Sequence, residues 1–167
     1  MITFKQFITE LFEKPYKWRK QGKIDVLKLD PAPRMVSYYF NTDDGRTIAV
    51  DVSHIRTQKT YEHKAVIEFT DETTDFSFDL TGKGDAMRIM STVLDTIKDT
   101  IKTTNPDLIN FSADKQQGIP GNAFKLKATG RAKLYKTMVK RFAGKLGYTS
   151  KDKDAGSSIQ FELIRKK

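Results

Sequence analysis

The hydrophobic period of this chain changes twice between Phe76 and Ala113, and that change limits the folds open to it. Phe76, Phe78 and Leu80 alternate with polar residues, so they share one face of an extended strand. From Asp85 to Thr103 the spacing lengthens. Ala86, Met90, Val93, Leu94, Ile97 and Ile101 fall on one stripe of a helix. Asn105-Pro106 stops that helix, and "DLINFSA" follows as a short apolar run suited to a buried strand. Strand, helix and strand over such a span make a βαβ unit with a right-handed crossover.

The flanking segments extend this unit. "RMVSYYFNTDDGRTIAVDVSHI" reads as a hairpin, with runs from Met35 to Asn41 and Thr47 to Ile55 around Asp43-Asp44-Gly45. Ala65 to Phe69 and Phe76 to Leu80 form a second pair of runs, and Val26 to Leu29 reads as a short strand. "KQQGIPGNAFKLKATG" reads as a loop. Arg131 to Leu146 follows as a second long helix, with Leu134, Tyr135, Met138, Val139, Phe142 and Leu146 inward and Gly147 as its cap. "IQFELI" is a last strand. At the other end, Thr3 to Glu13 is an amphipathic helix. Phe4, Phe7, Ile8, Leu11 and Phe12 lie on one face, Thr3 and Gln6 form a capping box, and Pro15 closes it. The expected architecture is α+β: a mixed, mostly antiparallel sheet with a βαβ unit and two long helices, plus the N-terminal helix. Residues 1–14 form that helix and 15–167 a single domain, a length sufficient for a real core.

Composition narrows the chemistry. There is no cysteine, hence no disulfide framework and no thiolate metal site. His54 and His63 are too few for a histidine-rich metal cluster, so no metal is expected. No apolar run approaches a membrane span. The net charge is +9, and it is concentrated. No acidic residue occurs from Lys115 to Lys151, a stretch that carries Lys115, Lys125, Lys127, Arg131, Lys133, Lys136, Lys140, Arg141, Lys145 and Lys151. Such a run points to a polyanionic partner: nucleic acid, a phosphorylated cofactor or an acidic protein surface. Lys125, Lys127, Arg131, Lys133, Lys136, Lys140 and Arg141 are the candidate nucleic-acid contacts.

The sharpest local motif is "FDLTGKGDAMRIM". Gly82 and Gly84 let the backbone turn tightly from strand to helix, Lys83 adds a positive charge, and the helix opens at Asp85 and Ala86. Amide groups at a helix N-terminus favour an anion, so this corner suits phosphate. Met87 stands where a dinucleotide fingerprint needs a third glycine, and no Gly-Lys-Ser/Thr follows for a Walker loop.

The order of elements, this glycine corner, and Ala132, Leu134 and Tyr135 followed by Gly147 and Tyr148 together resemble the GNAT family of acetyl-CoA-dependent N-acyltransferases. Asp79, or Thr81 if the corner is framed on Gly84, departs from that family's pattern, which has Gln or Arg at the corresponding place. The resemblance implies that Gly82, Lys83, Gly84, Asp85 and Ala86 hold acetyl-CoA. It further implies that Glu68 is the base and that Tyr135 protonates the departing thiolate.

The first residues carry a second resemblance. Met1, Thr3, Phe4, Phe7, Ile8 and Glu10 resemble the capsid-targeting leader of internal head proteins of T-even type phages. Ile8-Thr9-Glu10 and Leu11-Phe12-Glu13 are similar to their maturation cut sites. Together the resemblances imply a phage-encoded acyltransferase-type protein, or a degenerate relative, in the host cytoplasm or packaged in the phage head. The charge pattern supplies the alternative: a non-catalytic basic virion protein that binds DNA and uses the fold as a scaffold.

Overall fold

The computed structural model describes residues 14–72, 86–116, 127–128, 130–156 and 158–167. The strands are β1 (Trp18–Gln21), β2 (Arg34–Asn41), β3 (Thr47–Arg56), β4 (His63–Asp71), β5 (Leu108–Gln116), β6 (Lys127–Ala128), β7 (Tyr148–Asp154) and β8 (Ser158–Arg165). Two α-helices accompany them, α1 (Ala86–Thr104) and α2 (Gly130–Phe142). The strands lie in the order β1-β2-β3-β4-β5-β8-β7, with β6 attached to β5. Neighbours are antiparallel except β4 and β5, which are parallel. Among the described residues no helix is long and apolar enough to cross a membrane.

This corrects the expected architecture. Among the described residues the chain is sheet-rich, a mixed sheet accompanied by two helices, rather than two long helices plus a sheet. Three local readings account for the difference. The helix expected over 131–146 ends at Phe142, and Gly144–Leu146 tightens into a 3₁₀ turn before Gly147 at φ 84°. Val26–Lys28 is also a 3₁₀ turn and not a strand, because the Asp25 carboxylate accepts the Leu27 N–H at 3.1 Å. Finally, Trp18–Gln21 and Tyr148–Asp154 are strands that the sequence hides. Both are edge strands, and only Tyr148 of the latter is buried, so neither shows an apolar rhythm. The expected strand at 76–80 and the N-terminal helix lie outside the described residues.

The core is one contiguous cluster. Ile89, Met90, Val93, Leu94 and Ile97 of α1 join Val36, Tyr38 and Phe40 of β2 and Ile48, Val50 and Val52 of β3. Ala65, Ile67 and Phe69 of β4, Ile109 and Phe111 of β5, and Phe161 and Leu163 of β8 complete the strand side, with Met138 and Val139 of α2. Each fully buried aliphatic side chain contributes about 2 kcal/mol by leaving water. Polar ties fix α1 in register against the first strands. The Tyr16 N–H donates to Thr92 Oγ1 at 2.8 Å and the Trp18 indole N–H to Asp95 at 2.8 Å. The Arg88 guanidinium lies 3.9 Å from the centre of the Tyr16 ring and donates to Asp43 at 2.9 Å.

Candidate functional site

The parallel pair β4–β5 does not stay paired. Its ladder runs through Lys64↔Leu108, Ala65↔Ile109, Val66↔Asn110 and Ile67↔Phe111 and ends there. Both strands nevertheless continue. β4 runs on from Glu68 to Asp71 as a partner of β3, through Asp51↔Glu68 and Ile48↔Asp71. β5 runs on from Ser112 along β8, through Ser112↔Gln160 to Asp114↔Ser158, and then pairs with β6. Beyond Ile67↔Phe111 the two strands are held by different neighbours and no ladder pairing joins them among the described residues, so the sheet forks there.

Glu68 is the first residue beyond the last pair, at the base of this fork, and it is exposed. The first turn of α1 stands at the same end of the sheet. Arg88 reaches Asp43 in the turn between β2 and β3, and that turn adjoins the end of β4, where Ile48 faces Asp71. Ala86 opens α1, so the electropositive end of the helix is on the fork's side of the molecule. Gly82, Lys83, Gly84 and Asp85 lie outside the described residues. Tyr135 belongs to α2, but its side chain is outside the described set.

The candidate nucleic-acid residues are only partly placed. Lys136 and Lys140 are exposed on α2, and Arg141 is half-buried with its guanidinium 5.6 Å from the Phe142 ring. Lys98 of α1 approaches the same ring at 5.8 Å. The Lys136 ammonium is 3.9 Å from Asp152, so an acid just beyond the cationic run opposes part of it. Lys127 is on β6, and Arg131 and Lys133 are on α2, with side chains outside the described set; Lys125 lies outside altogether.

A second polar centre escaped the sequence reading. His54 and His63 are both buried, and His54 Nδ1 lies 2.8 Å from His63 Nε2. In the register of β3 and β4, His54 faces Ala65 and Arg56 faces His63, so the two imidazoles are diagonal neighbours. Each is in phase with inward apolar residues, Val50 and Val52 for the one and Ala65 and Ile67 for the other. That phase is the only signal the sequence carried. Burial holds the His54 pKa down at about 4, aided by the charges of His63 and Lys20. Burial likewise lowers that of His63, with Arg56 acting in the same sense and Asp107 against it.

His54 lines a cleft of about 370 Å³ together with Lys20, Gly22, Lys23, Ile24, Tyr38 and the last turn of α1. The Lys20 ammonium donates to Asp99 at 2.7 Å, and the Tyr38 hydroxyl donates to the same carboxylate at 2.8 Å. Burial alone would raise the Asp99 pKa, but these two donors outweigh it and the carboxyl is held below its ordinary value. Tyr38 is pushed upward, chiefly by burial. In comparisons with known proteins the chain matches no family model and no curated protein.

Proposed function

We propose that the fork between β4 and β5 binds an acyl-CoA and that the chain transfers the acyl group to an amine. The observation that carries this reading is the ending of the β4–β5 ladder at Ile67↔Phe111 while both strands run on. A strand edge exposed within a sheet can accept an extended ligand by main-chain hydrogen bonds. The two amides of the pantetheine arm suit such an edge, and the N-terminal end of α1 suits the phosphates. When bound, acetyl-CoA supplies an activated thioester carbonyl.

The residues of this chain would do the rest. Glu68, at the base of the fork and open to solvent, would take a proton from the attacking amine directly or through one water. Backbone N–H groups along the β4 edge would support the negative charge on the carbonyl oxygen. Tyr135 would return a proton to the leaving sulfur. The test is a thermal unfolding series with acetyl-CoA. Saturating cofactor should raise Tm, Gly84→Glu should abolish the rise, and Glu68→Gln should keep the rise while losing transfer. No rise with the unaltered chain overturns the proposal.

A second reading rests on exposed Lys136, Lys140, Lys145 and Lys151. As a non-catalytic basic protein of a phage head, the chain would bind duplex DNA without sequence preference, with an affinity that falls steeply as salt rises. Salt-independent binding, or none at low salt, sinks that reading. The leader resemblance is tested separately. Mass spectrometry of phage heads should find chains beginning at Leu11 or Lys14, and heads without such chains refute it.

A further inference from the structure

We propose that the cleft at the C-terminal end of α1 is a ligand site distinct from the fork, and that it takes a small polyhydroxy anion such as a sugar phosphate or sugar acid. The argument follows the protons. Thr103 Oγ1 donates to the Asp99 carbonyl at 2.8 Å, and Thr104 Oγ1 donates to the Thr100 carbonyl at 2.7 Å. Thr100 Oγ1 donates to the Thr96 carbonyl at 2.9 Å. Thr103 and Thr104 have thus given their only protons back to the helix, and the Thr100 proton is shared between the Thr96 carbonyl and the Tyr38 hydroxyl 3.2 Å away, which itself donates to Asp99, so toward the cleft all three can only accept.

The histidine pair adds another acceptor. Nδ1 of His63 is buried and completes no hydrogen bond among the described residues. We assign the one proton of the 2.8 Å contact to His54 Nδ1, so that His63 Nε2 accepts it. Nε2 of His54 is then a bare lone pair on a side chain only 1% exposed, lining the cleft and without a partner among the described residues. The C-terminal end of a helix has the same polarity, since its last carbonyls are partly negative.

Two lysines also line the cleft. Lys20 keeps two ammonium protons beyond the one held by Asp99, and exposed Lys23 has no ion-pair partner among the described residues. A ligand that matches both sets of groups presents several hydroxyl donors to His54 and the threonines and an anionic group to the lysines. A bare anion would meet only the lysines. The volume, about 370 Å³, falls among small-molecule sites. His63 begins β4 and Glu68 lies five residues further on, roughly 17 Å along an extended strand, so a result at one site does not stand in for the other.

Histidine-labelled NMR on the full chain at neutral pH tests the proposal. His54 should be the Nδ1–H tautomer. Its Nε2 resonance should move saturably with glucose 6-phosphate, gluconate or glycerol 3-phosphate, and far less with inorganic phosphate at equal concentration. Lys23→Ala and Thr103→Val, both at exposed positions, should each weaken the response about tenfold or more while leaving Tm nearly unchanged. The proposal falls if none of the three compounds moves the resonance at millimolar concentration. It also falls if inorganic phosphate acts equally, if neither substitution changes the response, or if His54 carries its proton on Nε2.

Discussion

A histidine whose proton affinity is suppressed by burial makes stability depend on pH, and the sign follows from which state holds more protons. In the folded chain His54 titrates at about 4, against an unfolded value of 6.5. Between those values the unfolded state binds the extra proton, so stability rises with pH across the window. The contribution is fully present above about pH 6.5 and is lost as pH falls toward 4. Its size is on the order of 3 kcal/mol. Urea unfolding at pH 7.5 and at pH 4.5 should show this loss in the unaltered chain. A His54→Phe/His63→Phe variant, if folded, should lose much less. Nothing in the separate surroundings of the two histidines in sequence announces the pair. Their contact arises because the β3–β4 register sets them diagonally on one face.

At the scale of elements, α1 is the part most legible in sequence. Its stripe from Ala86 to Ile101 predicts a helix over 85–103, and the helix runs Ala86–Thr104. The reason is that helical spacing is a local property, and so is the stop. Asn105 takes φ 43° and its N–H donates to the Ile101 carbonyl at 2.9 Å, just before Pro106. Gly147 is legible for the same reason, as a residue suited to positive φ after a helix, although the turn it closes is 3₁₀. A Cβ on Gly147 would meet nothing within 4 Å, so Gly147→Ala tests backbone conformation alone. It should cost about 1 kcal/mol in a denaturant titration, with no change in the cooperativity of unfolding. By contrast β7 has almost no local signature. It is a strand because β8 pairs with it along seven positions, from Tyr148↔Arg165 to Asp154↔Ile159.

Across the whole molecule, the last strand in sequence is not last in space. β8 lies between β5 and β7, and Phe161 stacks on Phe111 at a centroid distance of 5.3 Å with 1% of its surface exposed. Phe161→Ala should therefore cost about 3–5 kcal/mol by calorimetry, a large part of the stability of a domain this size. A terminal strand at a sheet edge would lose far less, so a cost under about 1 kcal/mol would contradict the assigned strand order. The cationic run from Lys115 to Lys151 shows the same limit at this scale. Sequence establishes that no acid lies within it, yet Asp152 sits beside Lys136 once α2 and β7 are folded together. Sequence alone determined the features that depend on near neighbours: the period of α1, its Asn-Pro stop and the hairpin about Gly45. Tertiary structure alone decided the sheet-rich balance, the central place of β8, the histidine pair and the parting of β4 from β5. Each of these is set by which strands pair and where pairing ends, and pairing joins residues that are distant in the chain.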